Sequence, residues 1–383
     1  MALGWVQRPF VTAFVHLLPQ SAPAAAATVC RVEARPAGTG SQSPARRRGP
    51  APPADAAANV DAAGLATLQV FAGVPASELT ALAAGLSPLA AGAGDVLMCQ
   101  GEQALSFAII ASGRVEVRHV APDGQTVVTV LSPETIVGEI ALLRRKARTA
   151  TVIAKDAVRG YTGYSAAFDC MLAMPAVADS MVRTARGRLA ANITPIPFST
   201  KDGAPLLLRP VLPGDAERFT SNGAFSRQTL YRRYQGAAPT EARLAYLFEV
   251  DYVDHFVWVV VDSANGAIVA DARFIRDEDD ASSAEVALTV ADAYQGRGIG
   301  TMLLGALAVA ARVGAVERFH ARVLSDNPPA RALGAAVNAR WHQEEPGVVT
   351  TTGEIPESDG PALDARTCRR VQQVARQVIH AFD

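Results

Sequence analysis

The arrangement of apolar residues and glycines changes once along this chain of 383 residues, and the change limits what each part can fold into. From Leu65 to about Cys170, apolar residues alternate in short runs separated by glycines, which is typical of β-strands joined by tight turns. Residues 115–117 and 127–130 flank an Asp-Gly turn and predict a hairpin. Helical patterns at 75–86 and 175–191 bracket these strands. We therefore expect an antiparallel β-roll with flanking helices.

After about residue 204 the pattern changes to strands that alternate with helices. The strands are predicted at 206–209, 256–262, 266–275, 285–290 and 318–324, and the helices at 215–219, 227–234, 301–313 and 329–337. This order predicts a mixed α/β domain, so the fold class is α+β with two domains.

Domain limits follow from the same patterns. We expect the β-roll domain at 62–190, the α/β domain at 204–354 and a C-terminal tail at 355–383. Residues 191–203 are rich in Pro, Ser, Thr and Gly and are predicted to be a linker. Within the tail, residues 365–382 predict an amphipathic helix whose packing partner the sequence does not identify.

Residues 1–60 have a different composition. Ala, Pro, Ser and Gly dominate, and acidic residues are nearly absent. Such a segment buries too little apolar surface to offset its ordering entropy, so we expect a disordered low-complexity leader. Arg8 followed by the apolar stretch 10–18 weakly resembles a secretory signal, and the Arg-rich character weakly resembles a transit peptide, so a targeting role stays open.

Charge and cysteine usage exclude several classes of protein. The 36 Lys and Arg nearly balance the 37 Asp and Glu, which gives no electrostatic reason to expect a nucleic-acid or membrane partner. No uninterrupted apolar run is long enough to cross a bilayer. The four cysteines lie far apart without zinc-ligand spacing, so we expect neither disulfides nor a metal site, and a cytoplasmic location.

The string from Gly138 to Val152 has the residues of an anion site. A short helix that begins after Gly138 would direct unpaired N–H groups towards an anion. Arg148 can neutralise a phosphate with forked donors, and Glu139 can accept a hydrogen bond from a sugar hydroxyl. Together they indicate a ligand that contains a phosphate and a ribose.

This string resembles the phosphate-binding cassette of the cyclic nucleotide-binding domain family, which residues 62–190 fit as a whole. The resemblance implies that Glu139 holds the ribose 2′-hydroxyl and that Arg148 holds the cyclic phosphate. It places these further residues around the ligand: Gly138, Ile140, Ala141, Thr149 and Ala150. Cyclic AMP is the expected ligand, with cyclic GMP as an alternative because Thr149 is similar to the Thr of cyclic-GMP-selective domains. A β-roll that has lost its ligand is the other alternative.

A second anion site is indicated where the predicted strand 285–290 leads through a glycine-rich turn into a helix. Glycines let the backbone approach phosphates, and the following helix start supplies N–H donors. The glycines at 296, 298 and 300 are spaced two by two, which does not fit a dinucleotide-binding fingerprint.

The spacing Gln295-x-x-Gly298-x-Gly300 instead resembles the acetyl-CoA loop of the GNAT acyltransferase family, which residues 203–352 fit. For Asn327, which resembles the start of that family's last helix, a plain helix cap is an equal alternative to a coenzyme contact. The coenzyme-binding residues that the resemblance implies are Leu288, Thr289, Val290, Gln295, Gly296, Arg297, Gly298, Ile299, Gly300, Thr301 and Asn327.

Glu285 is the candidate catalytic base. Acyl transfer needs a neutral amine, yet the ordinary pKa of lysine is about 10.4, so a base must remove a proton. Glu285 lies on the strand that enters the glycine-rich loop and resembles the catalytic Glu of lysine-modifying GNAT enzymes. Main-chain donors near 288–290 are expected to polarise the thioester carbonyl. The alternative is an exposed strand Glu without a catalytic role.

The order of the two domains resembles the cyclic-nucleotide-regulated protein lysine acetyltransferases of actinobacteria. The resemblance implies that cyclic AMP controls the transfer of an acetyl group from acetyl-CoA to lysines of protein substrates, acyl-CoA synthetases among them. Two alternatives stay open: an acetyltransferase acting on a small amine, and a non-catalytic sensor of cyclic nucleotide and CoA.

Overall fold

The computed structural model describes residues 60–121, 124, 126–221, 223–235, 240, 247–356 and 363–383. The predicted leader, apart from Val60, and the Asp123 position of the predicted hairpin turn lie outside these residues. The chain divides between Ala185 and Arg186 into two units.

The first unit contains two four-stranded antiparallel sheets. Its strands are β1 (Leu86–Ala91), β2 (Val96–Met98), β3 (Ser106–Ser112), β4 (Val115–Val120), β5 (Thr126–Leu131), β6 (Thr135–Val137), β7 (Thr151–Ala154) and β8 (Val158–Tyr164). The sheet orders are β1-β8-β3-β6 and β2-β7-β4-β5. Because β4 pairs with β5 from Val115 opposite Leu131 to Val120 opposite Thr126, the predicted hairpin is confirmed.

Helices cover one side of this roll. They are α1 (Ala62–Ala66), α2 (Ala76–Ala84), α3 (Glu139–Leu143), α4 (Ser165–Leu172) and α5 (Pro175–Ala191). Strand β3 is buried on both faces, and its side chains alternate between two clusters. Phe107 and Ile109 pack with residues of α2 and α4, whereas Ala108 and Ile110 pack inside the roll. The apolar run in β3 therefore joins the helical cover to the interior of the roll.

The second unit is built on one eight-stranded sheet. Its strands are β9 (Ile196–Ser199), β10 (Pro205–Pro210), β11 (His255–Asp262), β12 (Ile268–Arg276), β13 (Ser283–Val290), β14 (Arg318–Leu324), β15 (His342–Glu345) and β16 (Val348–Glu354). The order is β9-β10-β11-β12-β13-β14-β16-β15, and only β13 and β14 pair in parallel. This arrangement confirms the predicted mixed α/β class.

The helices of the second unit are α6 (Asp215–Ser221), α7 (Arg227–Tyr234), α8 (Ile299–Val313), α9 (Pro328–Ala336) and α10 (Ala365–Ile379). Trp258 of β11 is fully buried and donates its Nε1–H to the carbonyl oxygen of Ala306 at 3.2 Å, which ties α8 to the sheet. The tail helix α10 packs against α8 and buries Val371 and Val378. The predicted tail helix is thus confirmed, and its partner is α8.

The predicted linker is wrong in one respect, because residues 196–199 form strand β9 and pair with β10. Ile196 is buried in the core of the second unit. The prolines Pro195 and Pro197 favoured a loop in the sequence, but proline is tolerated in an edge strand, where one row of N–H groups has no partner in the sheet. Helix α8 also begins at Ile299, earlier than the predicted start at Thr301.

Within the described part of the chain, no single helix has both the length and the apolar character to cross a membrane. One bent pair, α4 with α5, meets the length and composition test at an angle of 106°.

A buried ion pair fixes the start of the second unit. The two terminal guanidinium nitrogens of Arg209 on β10, Nη1 and Nη2, donate to the carboxylate of Asp215 at 2.6 and 2.9 Å. Asp215 also accepts from the backbone N–H of Leu212. Both side chains are buried. We expect Asp215→Ala to lower the free energy of unfolding by about 3 kcal/mol, because Arg209 would keep its buried charge without a partner.

Urea denaturation followed by tryptophan fluorescence measures this effect. Glu344→Ala is the matched control, since it removes an exposed pair with Arg322 in the same unit and should leave stability nearly unchanged. Equal midpoints for the two variants would contradict the prediction.

Candidate functional sites

Gly138 begins the first candidate site and must be glycine. It has a φ of 86° and precedes α3 in the left-handed conformation. A Cβ added at Gly138 would lie 2.6 Å from Nη1 of Arg148 and 2.8 Å from the methyl group of Met98. The residue therefore supplies both the turn and the space into which the guanidinium fits.

Arg148 is held at the start of α3. It is 7% exposed, and its Nη1 donates to the carbonyl oxygen of Gly138 at 2.9 Å, while Nη2 donates to the carbonyl oxygen of Ser106. Burial lowers the pKa of Arg148, and the nearby charges of Glu102 and Glu139 act in the opposite direction. A guanidinium removed from water in this way is suited to bind an anionic ligand.

The other predicted residues of this site lie on the two segments that the Arg148 contact joins. Glu139 is 2% exposed at the first position of α3, and Ala141 is also buried there. Thr149 is half-buried, and its carbonyl oxygen faces Nδ1 of His119 at 2.6 Å. The site therefore joins a buried cation, a buried carboxylate and the N–H groups of a helix start, which fits a ligand with a phosphate and hydroxyl groups.

The glycine-rich loop forms the start of the second candidate site. Gly296 and Gly298 have φ values of 74° and 88°, and Gly298 precedes α8. The side-chain amide of Gln295 donates to the carbonyl oxygen of Val290 at 3.0 Å and to Oγ1 of Thr229 at 3.2 Å, which holds the loop against the end of β13 and against α7. A Cβ added at Gly300 would meet nothing within 4 Å, so the first turn of α8 is open on that side.

A gap in the sheet lies beside this loop. Strands β13 and β14 pair only where Ser283–Glu285 faces Arg318–His320, although they continue to Val290 and Leu324. The predicted residues Leu288, Thr289 and Val290 therefore lie along an opening, while their other edge pairs with β12. The buried Oγ1 of Thr289 has no hydrogen-bond partner among the residues that the structure describes. An opening of this kind can receive an extended ligand that bonds to main-chain groups.

Glu285 lies at the last paired position before the gap. Its side chain is exposed, and its register partners are Ile275 on β12 and His320 on β14. Glu285 is also one of the charges that act on the pKa of Arg233 in α7. The predicted base is therefore accessible beside the opening, as a proton acceptor for an incoming amine must be.

Sequence reasoning did not find the carboxylate partner of His320. Its Nε2 lies 2.9 Å from Oδ1 of Asp277, which belongs to the acidic turn between β12 and β13. Asn327 has the cap geometry, because its Oδ1 accepts from the backbone N–H of Ala330 at 3.2 Å. A contact between Asn327 and a coenzyme stays a prediction.

The sheet face that carries Glu285 also holds buried charges that the sequence analysis missed. Asp271 and Arg273 form an ion pair at 2.6 Å in which both side chains are 1% exposed. Arg273 also donates to the carbonyl oxygen of Leu247, and its guanidinium lies 5.1 Å from the centre of the Phe248 ring. Asp271 and Arg273 are two residues apart on β12 and share one face of the strand, but the sequence does not show that the neighbouring strands bury them.

Family models match a part of each unit. Residues 89–169 match the family described as "Cyclic nucleotide-binding domain", and residues 205–338 match "Acetyltransferase (GNAT) domain". The chain is 50% identical over 325 residues to "Acetyltransferase Pat" of Mycolicibacterium smegmatis, which covers 84% of this chain and 97% of the relative.

Two further similarities follow. A solved structure, "cAMP-binding acyltransferase from Mycobacterium smegmatis", is 47% identical and has a TM-score of 0.47, with coverage of 85% of this chain and 98% of that one. A "CRP-like cAMP-activated global transcriptional regulator" of Mycobacterium tuberculosis is 28% identical over 127 residues, which is 33% of this chain and 57% of the relative.

The fold and the two matched domains define an acyltransferase that carries a cyclic nucleotide-binding domain on the same chain. The chain belongs to the Pat family of GNAT acetyltransferases.

His255 provides a test of the electrostatics of the Glu285 face. Burial, with the charges of Arg273 and Arg233, lowers the pKa of His255 to about 3. A histidine with a lowered folded pKa stabilises the fold above its ordinary pKa, and this contribution is lost as pH falls from about 6.5 towards 3. We expect NMR titration of the six histidines to show one ring that stays neutral from pH 8 to about pH 5.

A His255→Gln variant assigns that signal, because the unchanging resonance should be the one that disappears. A His255 ring that gains its proton near pH 6.5 would contradict the burial of this face.

Proposed function

We propose that this enzyme transfers an acetyl group from acetyl-CoA to lysine side chains of protein substrates, and that cyclic AMP controls the reaction. The observation that carries the proposal is the position of Glu285. It is exposed at the last paired position of β13, beside an opening that leads along the same strand to the glycine-rich loop. A base, a channel and an anion-binding helix start therefore follow one another on one segment of the chain.

The loop and the opening would hold the coenzyme. N–H groups from Gln295 to Thr301 bind the pyrophosphate at the start of α8, where the helix dipole favours negative charge. Main-chain groups of 288–290 bind the pantetheine arm along β13. Asn327, at the start of α9, lies among the predicted contacts.

Glu285 takes a proton from the lysine ammonium, either directly or through a water molecule. The neutral amine then attacks the thioester carbonyl, and N–H groups near 288–290 stabilise the negative charge that develops on the oxygen. The carbon–sulfur bond breaks as the nitrogen releases its second proton to solvent and the amide forms, and the departing thiolate takes a proton from solvent.

The β-roll would bind the nucleotide through two charged contacts. Arg148 holds the cyclic phosphate and Glu139 accepts a hydrogen bond from the ribose 2′-hydroxyl, with Gly138, Ile140 and Ala141 supplying the helix start. Thr149 and Ala150 line the same ligand. The relatives described as cAMP-binding or cAMP-activated support cyclic AMP, and the hydroxyl of Thr149 keeps cyclic GMP as the alternative to test.

Acyl-CoA synthetases are the proposed protein substrates, and the cytoplasm is the proposed location. The three cysteines among the described residues form no disulfide bond, which suits a reducing compartment.

We expect Glu285→Gln to lower kcat for transfer to an acyl-CoA synthetase by roughly 100-fold or more, because the amide cannot accept the ammonium proton. Mass spectrometry of the synthetase after incubation with labelled acetyl-CoA measures this rate. Glu278→Gln, in the turn before β13, is the matched control and should retain activity. Wild-type activity in Glu285→Gln would overturn the base, and acetylation of small amines alone would favour the small-amine enzyme.

We expect Arg148→Lys to weaken cyclic AMP binding by about 10- to 100-fold, because lysine keeps the charge but loses the forked donors. Isothermal calorimetry with cyclic AMP and cyclic GMP measures affinity and base preference together. Arg145→Lys, at an exposed position in the same segment, is the control. Unchanged binding in Arg148→Lys would overturn the proposed phosphate contact.

A further inference from the structure

A cavity of about 690 Å³ lies in the second unit at the start of α8. Strand β9, the turn after it, α8 and the tail helix α10 all contribute to its walls. A volume of this size is ordinary for a small-molecule site. Its cationic lining residues are Lys201, Arg297, Arg366 and Arg370. The cavity therefore has both the size and the charge to bind an anionic ligand.

The positive charge of this cavity is only partly neutralised. Among the residues that the structure describes, Asp364 is the one acidic residue that lines it, and its carboxylate caps α10 by accepting from the backbone N–H groups of Arg366 and Thr367 at 2.9 and 3.0 Å. Arg297 pairs with Asp202 at 3.1 Å. Within the described part of the chain, Lys201, Arg366 and Arg370 form no ion pair, so three cations are available to a ligand.

The packing of α10 on α8 determines which arginines line the cavity. Cys368, Val371 and Ala375 are buried, so this face of α10 is fixed. Arg366 and Arg370 are four residues apart and lie on one side of the helix near its first turn. Arg366 is exposed and Arg370 is half-buried, and both line the cavity, whereas the exposed Arg369 and Arg376 do not. The packing of α10 on α8 thus decides which two of these four arginines line the cavity.

The cavity adjoins the loop proposed for the pyrophosphate. Arg297, Gly298, Ile299 and Thr301 belong to both. Coenzyme A carries a second phosphorylated group on the ribose of its nucleotide end, and a phosphate monoester has a charge of about −1.5 to −2 at pH 7. A ligand bound through its pyrophosphate at the start of α8 would bring this group close to the same helix start.

We propose that this cavity binds the 3′-phosphate of coenzyme A and that Arg366 and Arg370 recognise it, so that the enzyme discriminates against dephospho-coenzyme A. The inference rests on the proposed acetyl-CoA function and assigns a role to the tail helix. Arginine suits it because its planar donors match phosphate oxygens.

Calorimetry with acetyl-CoA and acetyl-dephospho-CoA tests the proposal on the full chain. We expect the wild type to bind acetyl-CoA at least about tenfold more tightly, since a charge-assisted contact to phosphate contributes this much. Arg366→Ala combined with Arg370→Ala should remove the preference while leaving the affinity for acetyl-dephospho-CoA unchanged. Arg369→Ala combined with Arg376→Ala removes the same charge from the same helix and should keep the preference.

The outcomes of this experiment distinguish a failure of the 3′-phosphate site from a failure of the acetyl-CoA function. Equal wild-type affinity for both thioesters would overturn the 3′-phosphate site and leave the acetyl-CoA function standing, whereas no binding of either would overturn both. A preference that survives in the Arg366/Arg370 double variant would overturn the role of these arginines.

Two further measurements test whether Arg366 and Arg370 bind the 3′-phosphate. If the double variant does not fold, the single variants Arg366→Gln and Arg370→Gln should each reduce the preference, and an unchanged preference in both would count against the proposal. Adenosine 3′,5′-bisphosphate should compete with acetyl-CoA. If it binds without competition, the cavity is a separate anion site and the proposal is wrong.

Discussion

The hydrogen-bond ladder between β13 and β14 ends after Glu285 and His320, although both strands continue, and the proposed transferase site is arranged around that early end. On its outer side β13 pairs with β12 as far as Val290, and β14 pairs with β16 from Arg318 to Leu324. Each strand is therefore held by its other neighbour, and the two separate as ordered strands. Main-chain groups that face such an opening cost free energy unless another group binds them, which suits a ligand with amide groups of its own.

Both candidate sites have a glycine with a positive φ directly before a helix start, but the charges around the two glycines differ. Gly138 and Gly298 have φ values of 86° and 88°, and each directs a helix start towards the space where an anion would bind. At the first site the cation, Arg148, is buried against the glycine. At the second, Arg297 is half-buried and pairs with Asp202. Because Arg148 is buried, the first site accepts only a ligand whose charge and shape match it. The second site is more open, so a long substrate can enter and leave.

The features that the sequence predicted well are those encoded over a short stretch of chain. Helix 227–234 and strand 318–324 have the predicted bounds, because apolar periodicity and cap residues such as Ser226 act locally. In each motif the glycine comes directly before the helix start, so one turn of backbone places them together, whereas Arg148 returns to Gly138 from ten residues further along the chain. Glu285 could be placed beside the loop for the same reason, since a single strand connects them.

The features that could not be predicted depend on contacts between distant segments. The pair of Asp271 and Arg273 is two residues apart on one strand, yet its burial requires the neighbouring strands and the carbonyl oxygen of Leu247. The same limit applies to the tail, where periodicity predicted a helix but not its partner. Only the packing of α10 on α8 shows that Arg366 and Arg370 line the cavity and that Arg369 and Arg376 do not. The charged residues of a helix can thus be assigned to a binding site only when the surface that covers its apolar face is known.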